Sequence, residues 1–169
     1  MSPGESHTRG RQATAPAVLS RAAMSFQPLY TATAHAHGGR EGRVRTEDGV
    51  LDLPLTMPKG LGGNGAPGAN PELLFAAGYS ACFESAVRFV ARMQKIKLDD
   101  VSISAIVTIG KLDEGGFGLA VELHGAFKGL AREAAEPLMQ AAHQVCPYSR
   151  ATRGNIDVKL VVTEQAAAS

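Results

Sequence analysis

Two cysteines are the residues of this sequence whose chemistry most needs an explanation. Cys82 lies in the stretch "AAGYSACFESA" (76–86), and Cys146 lies in "HQVCPYSRATRGNIDV" (143–158). An exposed thiolate beside a cation is a strong nucleophile, whereas a thiol among apolar neighbours is inert and packs as a small hydrophobic residue. The small and apolar residues around Cys82 leave both interpretations open.

Gly78 precedes Cys82 by one helical turn. Since a helical Cβ tilts toward the N-terminus, the Cys82 sulfur lies over the turn that holds Gly78. The missing side chain predicts open space above the thiol, or else a close-packed neighbour. Cys82 also lies 82 − 70 = 12 residues after the predicted helix cap Asn70, too far for the helix dipole to lower its pKa. A reactive Cys82 therefore needs a cationic side chain nearby.

Three arginines are candidates for that cation. Arg40 lies among glycines in "HGGREGR" (37–43), and Arg150 and Arg153 follow Cys146. The glycines permit a tight backbone that aims Arg40 inward, although a solvated hairpin arginine has the same sequence pattern.

Cys146 is predicted at the C-terminal end of a helix, where the dipole raises a thiol pKa. We therefore expect Cys146 to be the poorer nucleophile of the two. His143 lies three residues earlier, so a Cys–His hydrolase is one alternative function, although no orienting Asn or Asp is evident. A binding module with inert thiols is another.

Strands and helices in alternating groups must position these side chains. Alternating stretches at 29–36 and 42–55, with a turn at Asp48-Gly49, predict the first strands. Asn70-Pro71-Glu72 predicts the start of a helix that runs to about 94–97 and is apolar nearly all round. Strands at 101–110 and 116–127, a helix between Leu130 and Val145 that Pro137 kinks or delays, and a strand at 156–163 follow. Because strands dominate and no βαβ alternation is evident, the sequence predicts an α+β fold.

Bulk composition excludes several classes of function. The chain has 169 residues, 44% of them hydrophobic, and a net charge of +1, which predicts one soluble domain without a nucleic-acid or anionic-membrane footprint. No uninterrupted apolar run reaches the roughly 18 residues that a spanning helix needs. Two cysteines without a CxxC spacing fit neither a disulfide scaffold nor a zinc site, so we predict no metal and a cytoplasmic location.

Residues 1–25 lack a hydrophobic period and are rich in Ala, Ser and Arg. This composition predicts a disordered leader or faintly resembles an organellar transit peptide. A start at Met24, with upstream residues misassigned, is the third interpretation. The folded domain is predicted over 26–165.

Three motifs in order, "HGGREGR", "NPELLFAAGYSACFESA" (70–86) and "HQVCPYSRATRGNIDV", resemble those of the organic hydroperoxide resistance proteins (Ohr) of the Ohr/OsmC superfamily. The resemblance covers roughly Leu29 to Thr163. It implies antiparallel sheets packed around two central helices, an intertwined homodimer, and a cysteine-based peroxidase without metal, haem or other bound cofactor.

The resemblance also implies a role for each matching residue. Cys82 corresponds to the peroxidatic cysteine, Cys146 to the resolving cysteine, Arg40 to the arginine beside the thiolate, and Glu72 to the glutamate that holds this arginine. Cys82 is then expected to have the lower pKa and to form a disulfide with Cys146.

Substrate and reductant follow from the same resemblance. An organic hydroperoxide is the implied substrate, and a lipoylated protein is the implied dithiol reductant. We expect an apolar collar around the site to favour alkyl hydroperoxides over hydrogen peroxide. The collar is formed by Leu73, Leu74, Phe75, Tyr79 and Phe83.

Glu72 and Cys82 are ten residues apart, about 15 Å along a continuous helix. Either the helix breaks near Gly78, or a partner subunit supplies the Glu72 that serves each Cys82; we favour the partner.

Overall fold

A computed structural model describes residues 26–163. The predictions about the 1–25 leader lie outside the described residues. A boundary between Ala32 and Thr33 separates two units. Residues 26–32 contain no helix or strand, and every element below belongs to the second unit.

The first sheet has three antiparallel strands, β1 (Ala34–His37), β2 (Arg43–Thr46) and β3 (Asp52–Pro54). The β2–β3 hairpin contains the predicted Asp48-Gly49 turn, where Gly49 has a φ of 74°. All side chains of the three strands in this sheet are exposed or only half-buried. Among the described elements, none packs against this sheet through more than sparse contacts. Within residues 26–163, the sheet therefore has no core of its own.

The central helix α1 spans Pro71–Met93. The Asn70 side chain accepts a hydrogen bond from the Leu73 N–H at 2.9 Å, and Pro71 occupies the first helical position, so the predicted start is confirmed. The helix is capped by Gln94 at its C-terminus and is continuous through Gly78. Its buried side lies against the second sheet and two shorter helices.

The second sheet contains β4 (Asp100–Lys111), β5 (Phe117–Lys128) and β6 (Asp157–Thr163), in that order. β4 and β5 form an antiparallel hairpin, but β6 pairs with β5 in parallel. The second sheet is therefore mixed, with an antiparallel hairpin and one parallel strand. The connection from β5 to β6 is a helical crossover, which parallel neighbours require. The α+β fold itself is as predicted.

Two helices form that crossover, α2 (Arg132–Val145) and α3 (Pro147–Thr152). Pro137 lies inside α2, which begins five residues before it (137 − 132 = 5), so the proline does not delay the helix start. The short helix α3 was not predicted. Cys146 ends α2 and caps the start of α3.

The core lies between α1, α2 and the inner face of the second sheet. Its fully buried large side chains include those of Tyr79, Phe83, Leu123, Leu138 and Met139. By length and composition alone, α1 is apolar enough to cross a membrane despite its charged residues. In the fold it contributes six buried residues to the core and packs against β4 and α2. It still leaves Leu73, Phe89 and Met93 exposed.

Candidate active site

The two cysteines meet where α1 passes the junction of α2 and α3. The Cys146 thiol donates to Cys82 Sγ at 3.6 Å, and both are free thiols. Cys146 is fully buried, whereas Cys82 is partly accessible. Neighbouring helices thus bring together residues 64 positions apart. A small approach of the sulfurs would reach the bond length of about 2.05 Å that a disulfide needs.

The space above Gly78 is filled rather than open. A Cβ built on Gly78 would lie 3.0 Å from Oη of Tyr148, and this ring stacks on Phe75 with a centroid distance of 6.2 Å. Of the two expectations for Gly78, the close-packed neighbour is the correct one. The glycine at the turn before Cys82 was the sequence signal for Tyr148, a site residue that sequence reasoning did not identify.

The described residues of one chain raise the pKa of the Cys82 thiol. Burial raises its pKa, the backbone N–H of Tyr148 lowers it, and the nearby Cys146 thiol raises it further. No cationic side chain is among these causes. The pKa of Cys82 is thus raised rather than lowered among the described residues, where Arg40 pairs with Glu72.

Arg40 lies in a tight turn between β1 and β2 and forms a two-pronged ion pair with Glu72. Its Nη1 and Nη2 donate to the two carboxylate oxygens at 2.8 and 2.7 Å. Glycine is required in this turn, since a Cβ on Gly42 would lie 1.7 Å from the carbonyl oxygen of His37. The hydrogen bonds from Arg40 lower the pKa of Glu72, which therefore stays ionised. Such paired geometry is available to arginine and not to lysine.

Four predicted site residues thus form two pairs: Cys82 with Cys146, and Arg40 with Glu72. The pairs lie at different levels of α1, because ten residues of continuous helix separate Glu72 from Cys82 by about 15 Å. The alternative of a helix break near Gly78 is wrong.

A cavity of about 370 Å³ opens beside Glu72, between the start of α1 and β4. Its walls combine the polar side chains of Asn70 and Glu72 with apolar ones, which include Leu61, Leu73, Ala76, Val107 and Ile109. The expected apolar collar needs correction, since Tyr79 and Phe83 are fully buried in the core.

His143 does not form a catalytic pair with Cys146. Its Nδ1 is buried without a hydrogen-bond partner, burial lowers its pKa, and its ring lies 6.4 Å from that of Phe83. Cys146 is inaccessible and directed at Cys82. These features argue against the hydrolase alternative.

Comparison with known proteins agrees with this fold and its motifs. A family model described as OsmC-like protein matches residues 62–161. An organic hydroperoxide resistance protein of Xanthomonas axonopodis is 54% identical over 79% of this chain and 94% of its own length.

Solved structures show the same likeness. An organic hydroperoxide resistance protein from Legionella pneumophila has a TM-score of 0.77 and 56% identity, over 81% of this chain and 99% of that chain. A Bacillus subtilis protein of the same description has a TM-score of 0.74 and 47% identity, over 80% of this chain and 100% of that one.

A mixed α+β fold with two thiols in contact at a helix junction defines a class of candidate redox proteins. The chain belongs to the Ohr/OsmC superfamily, and within it to the organic hydroperoxide resistance proteins.

Proposed function

We propose that this protein is a thiol-dependent peroxidase that reduces organic hydroperoxides to alcohols. The observation that carries the proposal is the contact between a partly accessible Cys82 and a buried Cys146 at 3.6 Å. Membership of a family whose relatives are named for organic hydroperoxide resistance supports it. The aliphatic side chains that line part of the cavity beside Glu72 suit a substrate with an alkyl group.

The reaction proceeds in two steps at sulfur. The Cys82 thiolate attacks the distal peroxide oxygen, the O–O bond breaks, and the alkoxide takes up a proton and leaves as alcohol. The resulting Cys82 sulfenic acid condenses with the Cys146 thiol, which releases water and forms a disulfide. An external dithiol then restores both thiols by exchange and becomes a disulfide itself. A protein-bound lipoamide in the cytoplasm is our proposed reductant, and no bound cofactor is required.

Activation of Cys82 requires a cation, and residues 26–163 of a single chain place none among the groups that shift its pKa. Burial raises the Cys82 pKa, while the continuous helix keeps the Arg40–Glu72 pair about 15 Å away along α1. We therefore infer a homodimer in which the Arg40–Glu72 pair of one subunit faces the partner subunit's Cys82. The uncovered first sheet and the exposed apolar residues of α1 support a second copy as their cover.

Titration of free thiols tests the proposed function directly. After one equivalent of cumene hydroperoxide per subunit, both thiols should disappear and return on addition of a dithiol reductant. The measurement is a thiol count on denatured protein, with hydrogen peroxide as the poorer substrate for comparison. Two thiols that persist after exposure to cumene hydroperoxide would contradict the peroxidase and leave a binding module.

Arg40→Lys should impair catalysis nearly as severely as Arg40→Ala. An ammonium keeps the charge but cannot contact a carboxylate and a thiolate through one planar fork. Removal of the guanidinium should raise the Cys82 pKa, so the pH profile of iodoacetamide labelling at Cys82 should shift to higher pH. Steady-state kinetics and labelling profiles measure the two effects. Arg45→Lys, on the same sheet, is the matched control and should behave as wild type. Wild-type kinetics in Arg40→Lys would refute the role of the fork.

A further inference from the structure

A buried hydrogen-bond cluster joins α1 to α3 beneath the two cysteines. The Tyr79 hydroxyl donates to Ser149 Oγ at 2.9 Å and lies 3.3 Å from Thr152 Oγ1. Thr152 Oγ1 in turn donates to the Ser149 carbonyl at 3.2 Å. Tyr79 and Ser149 are fully buried and Thr152 nearly so. A buried hydroxyl without a hydrogen-bond partner destabilises the folded state. These bonds therefore favour the one position of α3 along α1 in which all three hydroxyls are paired.

The cluster is adjacent to both thiols. Tyr79 precedes Cys82 by three residues (82 − 79 = 3), and Ser149 follows Cys146 by three residues (149 − 146 = 3). Residues three apart are neighbours on a helix face. The Tyr79–Ser149 hydrogen bond therefore joins the turn of α1 next to Cys82 to the turn of α3 that Cys146 caps.

Tyr148 supports the same position from the outer side of α3. Its ring packs over Gly78, with Oη 3.0 Å from the position of an added Cβ. Its backbone N–H faces the Cys82 sulfur and opposes the effect of burial on that thiol. A shift of α3 along α1 would thus change the surroundings of Cys82 as well as the position of Cys146.

We propose that Tyr79 is a positioning residue. Its hydroxyl holds α3 against α1 and so raises the equilibrium constant for the disulfide between Cys82 and Cys146. This inference rests on the proposed function, in which the Cys146 thiol displaces water from a Cys82 sulfenic acid. Tyr79 is fully buried and does not meet the substrate. Its hydroxyl limits the movement of α3 relative to α1. Because this keeps the Cys146 sulfur close to the Cys82 sulfur, the effective concentration of one toward the other is higher.

Tyr79→Phe removes the hydroxyl and keeps the ring. The Cys82–Cys146 dithiol of the full chain is equilibrated with oxidised and reduced dithiothreitol, and the oxidised fraction is measured by alkylation and mass spectrometry. The equilibrium constant for the disulfide should fall about fivefold, the factor that corresponds to a typical net hydrogen bond of about 1 kcal/mol. Ser149→Ala, which removes the acceptor, should produce a similar fall and serves as the test if Tyr79→Phe does not fold.

Val121→Ala is the matched control. It truncates a buried side chain of β5 and destabilises the core, but leaves the Tyr79–Ser149 bond intact. Its disulfide equilibrium should equal that of wild type at temperatures where all variants are folded. An unchanged constant in a folded Tyr79→Phe or Ser149→Ala, or an equal fall in Val121→Ala, would overturn the positioning role.

The dithiothreitol equilibrium uses no hydroperoxide. A wild-type protein that ignores cumene hydroperoxide while Tyr79→Phe still shifts the equilibrium would refute the proposed peroxidase and retain the positioning role. Normal consumption of cumene hydroperoxide by the wild type, together with an unshifted equilibrium in Tyr79→Phe, would support the peroxidase and refute the positioning role.

Discussion

Cys82→Ser should abolish hydroperoxide turnover, because a serine hydroxyl does not form the nucleophile that attacks the peroxide oxygen. Cys146→Ser should instead allow one oxidation of Cys82 and then stop, since no neighbouring thiol remains to condense with the sulfenic acid. Excess hydroperoxide should then drive Cys82 in this variant to sulfinic and sulfonic acids. Consumption of cumene hydroperoxide with a dithiol reductant, and mass spectrometry of the oxidised protein, measure both results.

Ala81→Ser is a suitable control for these substitutions. Ala81 is an exposed neighbour of Cys82 on α1, so the change introduces the same hydroxyl without removing a thiol, and turnover should persist. The assignment of roles would be reversed if Cys82→Ser consumed one equivalent of hydroperoxide while Cys146→Ser consumed none.

Mixed dimers of Glu72→Ala and Cys82→Ser subunits should recover activity that neither variant has alone. In a mixed dimer, the Cys82 of the first subunit meets the Arg40–Glu72 pair of the second. Random exchange makes half of the dimers mixed, each with one intact site, so about a quarter of wild-type activity is expected for an isologous pair. Turnover is measured after subunit exchange that differently tagged chains verify.

Two comparisons make this experiment decisive. Cys82→Ser mixed with a Glu72→Ala/Cys82→Ser double variant should stay inactive, since no intact cysteine meets an intact pair. A Glu72→Ala and Cys82→Ser mixture that exchanges fully and stays inactive would rule out the shared site. The Arg40 that serves each Cys82 would then have to come from the same chain through a movement of the turn that carries it.

Local interactions explain what the sequence by itself determined. Asn70 and Pro71 start α1 because the cap hydrogen bond and the fixed proline φ act within four residues. Gly49 permits the turn of the β2–β3 hairpin through its positive φ. The two candidate cysteines, and the family resemblance of the motifs around them, could also be read from the sequence alone.

The tertiary structure decided features that depend on atoms remote in sequence. β6 runs parallel to β5, and an apolar alternation is the same for either strand direction, so sequence reasoning could not choose between them. The six-residue α3 is too short to show a helical period. Pro147 predicts the end of α2, but it also occupies the first position of α3, so the second helix was not recognised from the sequence.

The surroundings of Cys82 were likewise a tertiary outcome. The ring of Tyr148, 70 residues beyond Gly78 (148 − 78 = 70), occupies the space that the glycine leaves. The pKa of Cys82 rises because folding removes water from its thiol, while Arg40 binds Glu72 instead. The desolvation of a thiol and the formation of an ion pair between distant residues both depend on how the whole chain packs. The sequence could therefore identify the candidate site residues, but only the fold determines which of them meet.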